Sequence, residues 1–377
     1  MQTGLGAIGV FAAATLIAIP AQPAHADSFR IDQWYLKTLN ISEAHAISKG
    51  AGISVAVIDT GVYPHVDLRR NLLPGVNLAS GGGDGRKDQD GHGTGMAGII
   101  AAHGRGDDGV LGIAPSAKVL PIKITNRGSS MPAATMTKGV EWAMRNDAKV
   151  INISAETSPA FGLADAVSVA ISNDIVVVAG AGNKSKQAIM AYPAAIDGVL
   201  TVGAVDRRGK YASFSITGRR VQICAPGDEI TTTQTQGKYV DTSGTSAATA
   251  VASGAAALVR AKFPQISAEE VVHRITATAD DIGAPGRDDE CGYGRLNIVK
   301  ALTADVPPLG GQTPASPTTA PPVTAAAAPA TSAAGAAQQG AEEGGRGRGL
   351  LYGGIAAVVG LGGVLGFVVL RRRREGV

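Results

Sequence analysis

Short apolar runs rich in β-branched residues alternate with longer stretches of helical periodicity through the first two thirds of the chain. The apolar runs read GISVAVIDTG, KVLPIKIT, AKVINIS, DIVVVAGAGN and GVLTVGAVD. Between them lie GTGMAGIIAAH, MTKGVEWAMRND and LADAVSVAISND, which have helical spacing. Strands that are apolar on both faces are typical of parallel sheets covered by helices on both sides. The pattern therefore predicts an α/β, three-layer fold with a mostly parallel central sheet.

Polar residues follow several of these predicted strands. They are Asp59, Ser154 and Asn183. In open parallel sheets, binding and catalytic sites form beyond the carboxyl ends of the strands. We therefore expect these side chains to lie near a functional site.

The two ends of the chain have patterns that are typical of exported, membrane-anchored proteins. Residues 5–19 are mostly apolar and precede the small-x-small sequence AHA, which predicts a signal peptide over residues 1–26; the alternative is a buried N-terminal helix. Residues 350–370 contain no charge and would span about 31 Å as a helix, enough to cross a bilayer. The RRRR sequence that follows predicts a cytoplasmic tail over residues 371–377 and an extracellular position for everything before the span.

Composition divides the exported part into two regions. Residues 27–303 read as one globular domain, whereas residues 304–349 are rich in Pro, Ala and Gly and predict a disordered linker.

The formal net charge of +3 and the lack of a basic stripe argue against nucleic-acid binding. The two cysteines, Cys224 and Cys291, lie in the part of the chain that is predicted to be exported, where the environment is oxidising. They can form a disulfide if the fold brings their Cα atoms together.

Three residues suggest nucleophilic catalysis when they are considered together. Alone, Asp59 could be a turn residue, His92 a surface histidine and Ser246 a helix N-cap. A serine hydroxyl needs a base to remove its proton, and histidine serves as that base when a buried carboxylate fixes its tautomer. The amide of Asn183 could stabilise the resulting oxyanion.

Several motifs resemble the signatures of subtilisin-like serine proteases. They are VIDTGV, DGHGTGMAG, INIS, AGAGN, YPA and SGTSAATAVASG, in the order that this family has. The resemblance implies that Asp59, His92 and Ser246 form the catalytic triad and that Asn183 is the oxyanion-hole asparagine. The predicted signal peptide, disordered linker and single membrane-spanning segment add a narrower resemblance to mycosins, the membrane-anchored subtilases associated with type VII secretion. Secreted proteins would then be the substrates, and the type VII machinery a possible partner.

The resemblance also implies that a substrate binds as an extended strand between two segments. The residues concerned are Gly128, Ser129, Ser154, Ala155 and Glu156. Glu156 occupies a place where the family often has glycine. It is either a rim residue that faces water or a carboxylate that attracts a basic substrate side chain.

Other functions fit the sequence less well. GRGDDG leads into no strand–turn–helix, which argues against dinucleotide binding, and GTSAA lacks the last glycine of the esterase motif. The acidic loop with Asp84, Asp88 and Asp90 does not match a calcium-binding loop, so we expect neither a metal nor a cofactor. The remaining alternatives are a cell-surface subtilase unrelated to secretion and a non-catalytic scaffold with the same fold.

Overall fold

The computed structural model describes residues 29–79, 82–106, 108–128, 131–185 and 189–310. Its helices are α1 (Phe29–Asp32), α2 (Trp34–Thr38), α3 (Ile41–Ile47), α4 (His92–Ala101), α5 (Ala133–Arg145), α6 (Phe161–Ser172), α7 (Thr245–Lys262), α8 (Ala268–Ala277) and α9 (Ile298–Thr303). Its strands are β1 (Ser54–Asp59), β2 (Val76–Asn77), β3 (His103–Arg105), β4 (Asp108–Leu111), β5 (Lys118–Lys123), β6 (Val150–Ile153), β7 (Val176–Gly180), β8 (Leu200–Val205), β9 (Ile223–Pro226), β10 (Ile230–Thr233) and β11 (Tyr239–Thr242).

Within these residues, seven strands form a parallel sheet in the order β2-β5-β1-β6-β7-β8-β9. Strand β1 lies between β5 and β6, where the direction of chain progression reverses. Such a switch point opens a crevice at the carboxyl ends of the strands, and Asp59 is the last residue of β1. Two antiparallel hairpins, β3–β4 and β10–β11, lie outside the sheet.

Each central strand contributes to two separate apolar cores. Along β1, Val55 and Val57 belong to one core, whereas Ala56 and Ile58 belong to the other. The first core includes apolar residues of α4, α7 and α8, and the second those of α5 and α6. Side chains alternate between the two faces of a strand, so burial on both faces requires continuous apolar runs. The predicted α/β fold with a mostly parallel central sheet is confirmed.

Helix α7 passes through the middle of the domain, packed against α4 and strands β6 to β9. Its small residues also permit close packing against the loop after β4, where a Cβ atom added at Gly254 would lie 2.5 Å from the Cβ atom of Ile113. Almost every residue of α7 is buried. The helix therefore holds its first turn, which contains Ser246, in a fixed position relative to the sheet.

A disulfide joins Cys224 on β9 to Cys291 in the loop before α9, with a Cα–Cα distance of 4.9 Å. The fold thus meets the distance condition for pairing the two cysteines. The Cys224 carbonyl also accepts a 2.8 Å hydrogen bond from the Leu296 N–H. These contacts attach the C-terminal part of the domain to the edge of the sheet.

The predicted signal peptide (1–26), membrane span (350–370) and basic tail (371–377) lie outside the described residues, as does most of the predicted linker. Among the residues that are described, no helix is both long and apolar enough to cross a membrane.

Candidate active site

A buried carboxylate holds the imidazole of His92. The Nδ1 atom of His92 lies 2.8 Å and 2.9 Å from the two carboxylate oxygens of Asp59, whose side chain is fully buried. An ionised carboxylate only accepts hydrogen bonds, so Nδ1 carries the proton and Nε2 is the basic nitrogen of the neutral ring. The His92 side chain is 22% exposed, which places the ring at the boundary between the protein and the solvent.

A second aspartate fixes the turn from which His92 emerges. Asp88 Oδ1 accepts hydrogen bonds from Thr60 Oγ1 and the Gly91 N–H, both at 2.9 Å. Asp88 Oδ2 accepts from Thr94 Oγ1 at 2.6 Å. The bonds reach residues on both sides of His92 and the residue that follows β1. Asp88 therefore holds the backbone turn from which the imidazole projects.

The buried ammonium group of Lys123 contacts Thr60, which also donates a hydrogen bond to Asp88. Lys123 is the last residue of β5 and is 1% exposed, and its Nζ donates to the Thr60 carbonyl at 2.6 Å and to Gln89 Oε1 at 3.0 Å. Burial lowers the pKa of Lys123 below its ordinary value, whereas the charges of Asp88 and Asp59 oppose that change. Lys123, Thr60 and Asp88 were not predicted as site residues. Thr60 lies inside the VIDTGV motif and Asp88 lies close to His92 in sequence, whereas Lys123 had no such signal.

Ser246 lies in the first turn of α7. Its hydroxyl donates to the Ser154 carbonyl at 3.2 Å, and the Ser154 hydroxyl donates to the Ser246 carbonyl at 3.1 Å. Helix α7 packs against α4, so the first turns of two adjoining helices contain Ser246 and His92. The unpaired N–H groups and dipole of a helix N-terminus favour negative charge beside such a serine.

Asn183 is oriented by the same helix. Its Oδ1 accepts a 3.1 Å hydrogen bond from the Thr245 N–H. A backbone N–H can only donate, so this contact fixes which amide atom faces the helix and leaves Nδ2 as the donor. Asn183 and Ser246 both line a small cavity of about 20 Å³, together with Ser154, Ala155, Glu156, Gly180, Gly182 and Thr245.

The predicted substrate segments adjoin each other. The Met131 N–H donates to the Glu156 carbonyl at 3.0 Å, which joins the segment after Gly128 to the segment after β6. The N–H of the exposed Gly128 donates to Asp90 Oδ2 at 3.2 Å. Ser129 lies outside the described residues. Backbone edges of this kind can accept an extended peptide by strand addition.

Comparison with known proteins assigns the family. The sequence model of the subtilase family matches residues 50–294, more than half of the chain. The chain belongs to the subtilase family. It is 40% identical over 254 residues to a thermostable alkaline protease of Halalkalibacterium halodurans, an alignment that covers 67% of this chain and 69% of that protein. The resemblance inferred from the motifs is thus confirmed, and this subtilase is a serine-type endopeptidase.

Solved structures of mycosins are similar to this subtilase. MycP1 from Mycobacterium smegmatis matches 80% of this chain and 91% of its own, with a TM-score of 0.67 and 29% identity. The MycP3 protease from the type VII (ESX-3) secretion system matches 76% and 91%, with a TM-score of 0.63 and 33% identity.

Proposed function

We propose that this subtilase hydrolyses peptide bonds through a triad of Asp59, His92 and Ser246 and an acyl-enzyme intermediate. The observation that supports this most is the pairing of His92 Nδ1 with both oxygens of the buried Asp59. With that tautomer, Nε2 accepts the proton of Ser246 as the hydroxyl attacks the substrate carbonyl. Asp59 then stabilises the imidazolium, and His92 returns the proton to the leaving amine.

Asn183 and the start of α7 form the oxyanion hole in this proposal. The contact of Asn183 Oδ1 with the Thr245 N–H leaves Nδ2 to donate to the developing oxyanion, beside the Ser246 N–H. Loss of one such donor typically lowers kcat by about 10²–10³-fold.

The protein acts outside the membrane on exported proteins. This part of the proposal is supported by the predicted leader, linker and span in the sequence, and by the similarity to MycP1 and MycP3. The catalytic domain would be extracellular, the short basic tail cytoplasmic, and the type VII secretion machinery a possible partner.

A fluorophosphonate probe tests the triad directly. We expect the full chain to be labelled, and labelling to disappear in Ser246→Ala and to fall strongly in His92→Ala. Ser243→Ala is the matched control, since this exposed serine lies three residues before Ser246 and should leave labelling unchanged. Absence of labelling in well-folded protein would contradict the proposal and favour the non-catalytic scaffold.

The pH dependence of kcat/KM provides a second test. Protonated His92 cannot act as a base, so the rate should fall as the pH decreases into the acid range. A flat profile from pH 5 to pH 8 would contradict the role of His92.

Cleavage-site profiling distinguishes the two interpretations of Glu156. If its carboxylate attracts a basic substrate side chain, the protein should prefer basic residues near the cut and Glu156→Gln should lose that preference. If Glu156 is a rim residue that faces water, the two profiles will be identical.

A further inference from the structure

The loop that contains Asn183 requires contacts with other segments of the chain to fix its position. This oxyanion loop, residues 181–185, follows β7 and includes Gly182 with a φ of 102°, a conformation that glycine adopts with little strain. Lys184 and Ser185 are exposed. An oxyanion donor must lie within a few tenths of an ångström of its best position, so a loop with a glycine link and an exposed end requires additional contacts.

A second segment provides those contacts. This support loop, residues 211–216, pairs with the oxyanion loop through two backbone hydrogen bonds. The Lys184 N–H donates to the Phe214 carbonyl at 2.8 Å, and the Ile216 N–H donates to the Gly182 carbonyl at 2.9 Å. Asn183 lies opposite Ser215 in this short antiparallel bridge. The position of Asn183 therefore depends on the position of the support loop.

The hydroxyl of Tyr211 joins the two loops. It accepts a 2.8 Å hydrogen bond from the Lys184 ammonium and donates to the Ser215 carbonyl. The directions are fixed, because an ammonium can only donate and a carbonyl can only accept. One hydroxyl group thus links the residue after Asn183 to the residue opposite Asn183.

The ring of Tyr211 rests on a rigid base. It packs against the buried cluster formed by Val205 and the disulfide between Cys224 and Cys291. Tyr211 also forms a backbone bridge to Val205 at the end of β8. The hydroxyl is therefore held by contacts that are independent of the oxyanion loop.

We propose that Tyr211 is a positioning residue for the oxyanion hole, in which its hydroxyl holds Asn183 in place through Lys184 and the Ser215 carbonyl. The inference rests on the proposed role of Asn183 as the oxyanion donor. Tyr211 touches neither the substrate nor the reacting atoms in this role; it acts through Asn183. Its loss should consequently lower kcat and leave KM almost unchanged, because the oxyanion forms only in the transition state.

A double-mutant cycle in the full chain tests this coupling. The variants are Tyr211→Phe, Asn183→Ala and the combination of both, measured by kcat and KM on one peptide substrate. We expect Asn183→Ala to lower kcat by about 10²–10³-fold and Tyr211→Phe to lower it by about 3–10-fold. In the Asn183→Ala background, Tyr211→Phe should change kcat by less than about 2-fold, since the group that Tyr211 positions is gone.

Control variants separate positioning from general destabilisation. Tyr211→Phe keeps the ring against the disulfide. Tyr293→Phe serves as a matched control because Tyr293 is exposed and the guanidinium of Arg287 lies over its ring. That control should retain wild-type kcat. Lys184→Met removes the ammonium group that donates to the Tyr211 hydroxyl. Because Lys184 is exposed, this substitution should not disturb folding, and it should lower kcat even if Tyr211→Phe folds poorly.

The outcomes distinguish this proposal from the one on which it rests. A wild-type kcat in Asn183→Ala would overturn the oxyanion role and the positioning role together. The expected loss in Asn183→Ala, combined with an equal effect of Tyr211→Phe in both backgrounds, would overturn only the positioning role. A change confined to KM would also overturn it.

Discussion

Removal of the disulfide should destabilise the domain by an amount that follows from the loop it closes. Cys224 and Cys291 are 67 residues apart in sequence, and both are buried. If the bond acts by restricting the unfolded chain, a loop of this length contributes about 4.4 kcal/mol to the free energy of unfolding at 25 °C. We therefore expect the double variant Cys224→Ala/Cys291→Ala to lose about this much stability.

This loss in the free energy of unfolding also predicts a lower melting temperature. About 280 residues lie between positions 29 and 310, and an unfolding entropy of about 2.1 cal/mol/K per residue converts the loss into a decrease of about 7 °C in Tm. The measurement is differential scanning calorimetry of the full chain, with Ser246→Ala as the background so that self-cleavage does not distort the scan.

A reductant provides the control for this experiment. Excess dithiothreitol should lower the Tm of the Ser246→Ala background to that of the double cysteine variant, and should leave the double variant unchanged. A difference in Tm below about 2 °C between the two proteins would refute the reasoning from loop entropy.

Two further predictions concern pH and packing in the same inactive background. Burial lowers the pKa of His65 below its ordinary value, although the charge of Asp67 opposes this change. As the pH falls, the unfolded chain therefore binds a proton at His65 before the folded protein does. The free energy of unfolding should consequently decrease as the pH falls below about 6.5. Thermal unfolding from pH 7 to pH 5 should show this loss, with a shallower slope in His65→Phe; equal slopes would contradict it. Gly254→Ala should destabilise the domain by about 1–3 kcal/mol in urea unfolding, because its Cβ atom would lie 2.5 Å from the Cβ atom of Ile113. Gly162→Ala, where a Cβ atom meets nothing within 4 Å, should cause no such loss, and equal effects of both substitutions would contradict the packing argument.

The parallel sheet could be predicted from the sequence because burial on both faces leaves a local signal. Every residue of β7 except its last is buried, as the run VVVA indicated. The β10–β11 hairpin gave no such signal, since β10 reads ITTT and its buried Thr232 and Thr233 donate to backbone carbonyls of α4. Its position depends on a distant partner rather than on its own apolar pattern.

The site shows the same division between local and distant information. Asp59 and His92 could be singled out because the motifs around them are local and resemble a known family. Lys123 resembled an ordinary lysine at the end of a strand, because the oxygens that its ammonium contacts and the carboxylates near it come from other segments of the chain. Tyr211 had no local signal either, because its role depends on a pairing between two loops.

The position of Ser246 depends on a chain of buried polar contacts rather than on helix α7 alone. The Ser253 hydroxyl donates to Asn152 Oδ1 at 3.0 Å, and Asn152 Nδ2 donates to the Ser154 hydroxyl at 3.1 Å. The Ser154 hydroxyl in turn donates to the Ser246 carbonyl. Each donor in this chain has a defined acceptor, and buried networks that are satisfied in this way favour a single arrangement of the groups they join. Strand β6 and helix α7 are consequently fixed to each other by hydrogen bonds as well as by apolar packing, which keeps the Ser246 hydroxyl at the carboxyl edge of the sheet.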